Sequence, residues 1–319
     1  MTLSRLVEGL TIYGCILEID EFELKFSVTG GVVIKVPIMN ISSPYAKLIE
    51  DFANDSSSDT PEIAKLSALF QIGDYYPVKI LSKKVCDQFG HTEIIGSINP
   101  KDIYSNFSAK TVNNLHDGYN LLAAVSSLED YGYEMDIGVN GVKAFLPLED
   151  LKKSGGQTKL NIGQLMPCSL LRKNERSILL TTNKKLANSS IELTDEPSIY
   201  SYVPGTRVKC IITEIRPSGL EISLPGGYSG FVPRYHISDD IMTLPNKFTV
   251  GDAVDGHVLY MQPHTKQVCV SLKSKLSKKL VKTLVNTIQL GLIIKGAVIC
   301  GVGEFGRVLF KQVCQFEFL

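Results

Sequence analysis

The feature that most constrains this chain is a strand-rich pattern, opened and re-entered by glycines, that occurs more than once. Gly118–Pro147 contains three short apolar runs separated by turn residues. Leu121–Val125 is the first; Tyr133, Met135 and Ile137 alternate with Glu134 and Asp136 in the second; Val142–Leu146 follows an Asn140-Gly141 pair. Alternation with period two around Asn-Gly predicts antiparallel hairpins rather than helix. Pro204–Pro233 repeats the order, with Leu220, Ile222 and Leu224 alternating with Glu221 and Ser223 before a glycine turn. Each copy then has a second glycine signal, Ile162-Gly163 and Val250-Gly251, ahead of two more strands, Leu165–Leu171 with Ile178–Thr182 and Ala253–Met261 with Val268–Leu272. The opening glycine precedes the second one by 45 residues in one copy (118 to 163) and by 46 in the next (205 to 251). Five short strands with a glycine-kinked first half predict a small closed Greek-key barrel of the OB type, so the fold class is all-β, in tandem.

Residues 1–100 read as a divergent first copy. Gly9 opens it, Leu10–Ile19 is its first strand, and Phe22, Leu24, Phe26 and Val28 alternate in its second. Val32–Val36 is the third strand and Ile72-Gly73-Asp74 the second glycine signal, before Tyr75–Leu81 and Glu93–Ile98. The 64 residues from Gly9 to Gly73 imply an insertion, and Glu50–Thr60 has the composition of a solvated loop, read as a surface excursion with a partner-binding loop as the alternative. The other copies occupy 117–183 and 203–274. Asn99–His116 and Lys184–Tyr202 are polar connectors, and Lys273–Lys282, with five lysines, reads as a solvated linker or a phosphate-contacting or nuclear-import segment. A partial fourth copy, 290–319, stops after two strands. Half a barrel leaves strand edges and an apolar face uncovered, which predicts a fragment whose tail is poorly ordered or docked on the third copy.

These residues resemble a known family. Tyr131-Gly132, Gly141-Val142-Lys143-Ala144-Phe145-Leu146-Pro147, Ile162-Gly163 and Leu179-Leu180-Thr181 resemble the S1 RNA-binding repeat, and Gly230-Phe231-Val232-Pro233, Val250-Gly251-Asp252 and Val270-Ser271-Leu272-Lys273 resemble it more closely. The wording from Ser126 to Pro147 is similar to the N-terminal repeats of the programmed cell death protein 11 family of ribosomal-RNA-processing scaffolds, and the likeness extends over about Leu3 to Ser274. It implies a non-catalytic RNA-binding scaffold of ribosome biogenesis, in the nucleus and nucleolus. Pre-ribosomal RNA and ribosome-assembly proteins would be its partners, with no small-molecule substrate, no membrane and no cofactor. An OB-barrel module that contacts protein, with little direct RNA contact, is the rival reading.

The resemblance also locates the ligand surface on the second and third strands, with bases stacked on aromatics and phosphates met by Lys or Arg. RNA-binding repeats of this family usually read Phe-Gly-x-Phe there and end the third strand in His. This chain departs from that pattern. Tyr131 keeps the first aromatic in the second copy and Ser218 replaces it in the third. Glu134 and Glu221 take the second aromatic position, and Pro147 and Pro233 stand in place of His. Strand parity puts Lys143 and Phe145 on one side, so Phe145 and Phe231 read as a displaced stacking platform, with barrel core as the competing assignment. Arg234, Tyr235 and His236, beside Arg216 and Lys273, form the best basic-aromatic cluster.

Composition adds limits. Net charge is zero but unevenly spread: residues 1–110 carry 10 Lys+Arg against 14 Asp+Glu, 111–200 carry 9 against 11, and 201–319 carry 14 against 8. A phosphate grip therefore favours the last third. Seven cysteines without CxxC spacing, several inside predicted strands, read as small buried hydrophobes in a reducing compartment. There is no signal-like apolar start, and the longest apolar run, Gly291–Val302, is too short to span a bilayer. The five histidines show neither HExxH nor a zinc pattern, and there is no P-loop or nucleophile elbow, so no catalytic or metal-ligating residue is predicted.

Overall fold

The structure, a computed structural model, describes residues 6–28, 32–54, 63–85, 92–153, 159–174, 177–183, 189–238, 248–262, 265–273 and the backbone of 297–302 and 308–312. Expectations for the remaining residues, including the lysines beyond Lys273, the loop after Asn54 and the docking of the C-terminal tail, lie outside the described residues.

The first barrel is built of β1 (Thr11–Ile19), β2 (Glu23–Val28), β3 (Val32–Pro37), β4 (Tyr75–Val85) and β5 (Thr92–Ser97). Antiparallel pairs β1–β2, β2–β3, β4–β5 and β1–β4 are closed by a parallel β3–β5 pair. The second barrel repeats this in β6 (Asn120–Glu129), β7 (Gly132–Asp136), β8 (Lys143–Pro147), β9 (Leu165–Lys173) and β10 (Ser177–Thr181). The third does so in β11 (Arg207–Arg216), β12 (Gly219–Leu224), β13 (Tyr228–Pro233), β14 (Ala253–Met261) and β15 (Val268–Ser271), closed by parallel β13–β15 and antiparallel β11–β14. A hairpin of β16 (Ala297–Val302) and β17 (Val308–Gln312) follows. The all-β tandem of OB-type barrels is therefore the observed fold.

The glycine signals close the barrels. The opening glycines have left-handed φ, 82° at Gly9, 86° at Gly118 and 93° at Gly205, which side chains with a Cβ disfavour. Each donates its N–H to the fourth strand, at Ile80, Leu170 and Val258. The second glycines, Gly73, Gly163 and Gly251, have φ of 90°, 82° and 97° and donate back to the first strand at Ile16, Val125 and Ile212. Every first strand bulges just after that acceptor, where the register shifts between Ile16 and Glu18, Val125 and Ser127, and Ile212 and Glu214. A bulge adds twist, which lets five short strands curl shut.

Alternate residues fill each interior, as with Leu24, Phe26 and Val28 on β2 and Leu220, Ile222 and Leu224 on β12. Cys168 and Cys210 belong to this inward set, and burial pushes their thiols, and that of the covered Cys269, up to about 12. Phe22 does not, although its spacing matches Leu24, Phe26 and Val28. It lies in the turn before β2 and is 66% exposed.

The connectors are more ordered than their polar composition predicts. The insertion forms α1 (Ser43–Asn54) and α2 (Leu66–Leu69), so Glu50–Asn54, expected as the start of a solvated loop, is the end of a helix. Asn99–His116 holds two short helices, α3 (Pro100–Ile103) and α4 (Ala109–Asn113), and buries Ile103, Tyr104, Val112 and Leu115. These segments tie the barrels together. Ser42 donates its hydroxyl to the Gly163 carbonyl at 2.8 Å, joining the first barrel to the second. Tyr119 donates to the Ser201 carbonyl at 2.7 Å, joining the second barrel to the connector before the third. Ile12 pairs with Tyr260 across β1 and β14, joining the first and third. Among the described residues no helix is long and apolar enough to cross a membrane.

Candidate nucleic-acid interface

Register fixes what the second and third strands of each barrel present. In the second barrel Glu134 stands opposite Phe145 and Gly132 opposite Pro147; in the third, Glu221 opposite Phe231 and Gly219 opposite Pro233. The matching residues of the first barrel are Lys25 opposite Lys35 and Glu23 opposite Pro37. The inward positions of β8 and β13 belong to Ala144, Leu146, Gly230 and Val232. Phe145 and Phe231 therefore lie on the outer face, half-buried, and the core assignment fails for both. Each ring covers a glycine: a Cβ on Gly132 would meet Phe145 Cζ at 2.6 Å, and one on Gly219 would meet Phe231 Cζ at 2.8 Å. A ring seated over a glycine has one face packed and fixed, and such cross-strand pairs hold register.

The turn before the second strand carries the other aromatic position. The Tyr131 carbonyl accepts the Leu148 N–H and the Ser218 carbonyl accepts the Arg234 N–H. In the first barrel the Phe22 carbonyl accepts the Ile38 N–H at 2.8 Å, which makes Phe22 the counterpart of Tyr131. Both rings stand in solvent, Tyr131 at 83% and Phe22 at 66% exposure. The sequence held the signal, since Phe22 directly precedes β2 as Tyr131 directly precedes β7, but its fit to the core alternation hid it.

Most cations of these faces are already matched. Lys143 is 3.8 Å from Glu134, and Arg216 is 2.8 Å from Glu214 and 3.3 Å from Glu221. In the first barrel Lys25 lies 2.8 Å from Asp20 and 3.0 Å from Glu18, and Lys35 2.7 Å from Glu93. Such exposed pairs contribute little stability but cancel charge where a phosphate would sit. The hydrogen bond from Arg216 holds the Glu214 carboxyl below its usual range.

The cluster expected after β13 divides in two. Arg234 and Tyr235 are exposed, and Arg216 reaches the same end of the barrel, since both Arg216 and Pro233 pair with Gly219. His236 turns inside. A single 3-10 turn over Arg234–His236 leaves the imidazole 8% exposed, with Nδ1 3.1 Å from the Ser271 hydroxyl. Burial, with Lys273 adding like charge, pushes His236 down to about 4, so it is neutral at pH 7 and off the ligand face. Lys273 is half-buried behind it, its N–H donating to the Ser271 hydroxyl. Among the described residues no three His, Cys, Asp or Glu side chains are grouped to hold a metal ion.

Residues 202–272 match the family model described as the RRP5 S1 domain. The chain is similar to the Protein RRP5 homolog of Homo sapiens, 28% identical over 283 residues that cover 86% of this chain and 14% of that protein. It is similar to the rRNA biogenesis protein rrp5 of Schizosaccharomyces pombe, 29% identical over 274 residues, 82% of this chain and 16% of that one. The small ribosomal subunit protein bS1 of Rickettsia typhi is 26% identical over 195 residues, 59% of this chain and 33% of the bacterial protein. This chain thus spans about a seventh of the length of the human relative.

Proposed function

We propose that this chain, an S1-domain protein similar to RRP5 over most of its length, is a non-catalytic RNA-binding scaffold segment of ribosome biogenesis. In this reading it supports pre-ribosomal RNA processing and small-subunit assembly in the nucleolus. The observation that carries it is one surface recurring in consecutive barrels: a half-buried ring seated over a glycine in the second and third, and an exposed turn aromatic in the first and second. Aromatic faces offered beside Lys and Arg suit single-stranded RNA, because every base has a face to stack. The relatives named for rRNA biogenesis support the pathway, and the match of residues 202–272 to the RRP5 S1 domain supports the ligand class. Crosslinking of bound RNA in cells tests the proposal. Recovery of pre-ribosomal transcripts, with crosslinks on the second and third strands, is the expected result; transcripts without enrichment for ribosomal precursors would overturn it.

The pairing of Lys25, Lys143 and Arg216 with carboxylates favours a second reading, in which some faces contact ribosome-assembly proteins. It fits the first barrel best, where Lys25 and Lys35 replace the Glu-Phe pair and three carboxylates surround Lys25.

A further inference from the structure

Following the register beyond the third strand gives a row across the outside of each barrel. In the second it runs Glu134, Phe145, Leu179, Arg172, through β7, β8, β10 and β9. β9 carries one residue more than its partner here: Leu179 faces Arg172 while Leu180 faces Leu170, so Leu171 is extra. A bulge of this kind re-aims side chains. It leaves two successive ones, Leu171 and Arg172, on the outside. Adjacent strands are about 4.8 Å apart, so the backbones of Phe145 and Arg172 are separated by roughly 10 Å, with Leu179 as the floor between them.

Arg172 differs from four of the cations already described. Lys25, Lys35, Lys143 and Arg216 all pair with carboxylates, whereas Arg172 has no ion pair among the described residues. Its counterparts in the other barrels carry no charge. The first-barrel row ends Lys35, Ile95, Ser82, and the third-barrel row ends Phe231, Cys269, Tyr260, where Tyr260 is already paired with Ile12 of the first barrel. The bulge leucines tell the same story, since Leu81 and Leu171 are exposed and Leu259 is buried.

We propose that Arg172 is an RNA-binding residue that grips a backbone phosphate of the nucleotide whose base stacks on Phe145. The assignment rests on the RNA-binding reading above. A guanidinium offers a planar fork of donors that matches two phosphate oxygens at once, and Arg172 gives up no ion pair with any described residue to do so.

The test is equilibrium binding of a single-stranded oligouridylate to the full chain across a salt titration, for the unmodified protein, Arg172→Ala, Arg172→Lys and Arg216→Ala. Arg172→Ala is expected to weaken binding about tenfold and to flatten the log-log salt slope by about 0.7, the increment for one phosphate contact on a single strand. Arg172→Lys keeps the slope and loses part of the affinity, because it keeps the charge without the fork. Arg216→Ala changes the slope less, its charge being already spent on Glu214 and Glu221. The thermal midpoint of Arg172→Ala stays that of the unmodified chain, which separates a contact from a folding defect. Equal affinity and slope with and without Arg172 would overturn the assignment alone. Failure of the unmodified chain to bind would overturn the RNA-binding reading and this role with it.

Discussion

The ring of Phe145 lies over Gly132 so closely that a Cβ on the glycine would sit 2.6 Å from the ring and 2.3 Å from the Leu146 carbonyl oxygen. The same relationship joins Phe231 to Gly219, with a Cβ there 2.1 Å from the Val232 carbonyl oxygen. Gly132→Ala and Gly219→Ala are each expected to lower unfolding stability by about 1–3 kcal/mol through overpacking. Adding Phe145→Leu to Gly132→Ala recovers only part of the loss, since the clash with the backbone carbonyl remains. Urea denaturation of the single and double variants checks this.

Glu221 pairs with Arg216 and stands opposite Phe231. Glu221→Gln removes a carboxylate from the face and leaves Arg216 with Glu214 only. Single-stranded RNA is expected to bind a few-fold more tightly, with a salt slope steeper by up to about 0.7. Filter binding at several salt concentrations reads both, and an unchanged affinity would place the RNA elsewhere on the molecule.

His236 makes stability depend on pH in a defined direction. Its folded value, about 4, lies below the ordinary 6.5, so the unfolded chain takes up the proton first. Stability from this group is complete above about pH 6.5, falls as the pH drops towards 4, and is constant below that, a loss of about 3 kcal/mol in all. His116 and His257 are also lowered by burial and act in the same direction. Denaturation curves between pH 7 and pH 4 are expected to show a shallower decline for His236→Leu than for the unmodified chain.

The hydroxyl of Ser42 reaches from the insertion of the first barrel to the Gly163 carbonyl of the second, and is itself fully buried. Ser42→Ala leaves that carbonyl without its donor and is expected to cost about 1–3 kcal/mol. Amide hydrogen exchange should show the loss at the junction, around Gly163 and Tyr45, before it shows in the barrel interiors.

What the sequence made legible followed from local geometry. The glycine signals at Gly9, Gly118 and Gly205, then Gly73, Gly163 and Gly251, all adopt left-handed φ, and their spacing marks the three barrels. Period-two alternation finds the strands and puts Lys143 and Phe145 on one side, and the structure shows that side to be the outer one. Phe22 escaped because one alternation served both a core strand and the turn before it. The order within Asn99–His116 escaped because Ile103, Tyr104, Val112 and Leu115 are scattered among polar residues, and only packing against the barrels buries them. Adjacency groups His236 with Arg234 and Tyr235, and a single 3-10 turn separates them. Arg172 joins Phe145 only through the parallel β8–β10 pairing, a non-local contact that no window of sequence contains.

The most direct test of the account is the affinity of the full chain for single-stranded RNA with Phe145 and Phe231 both replaced by leucine. Leucine keeps apolar bulk over Gly132 and Gly219 while removing the faces on which bases stack. The expected result is a folded protein that loses about 1–3 kcal/mol of binding for each stacked base. Unchanged affinity in a folded double variant would contradict it.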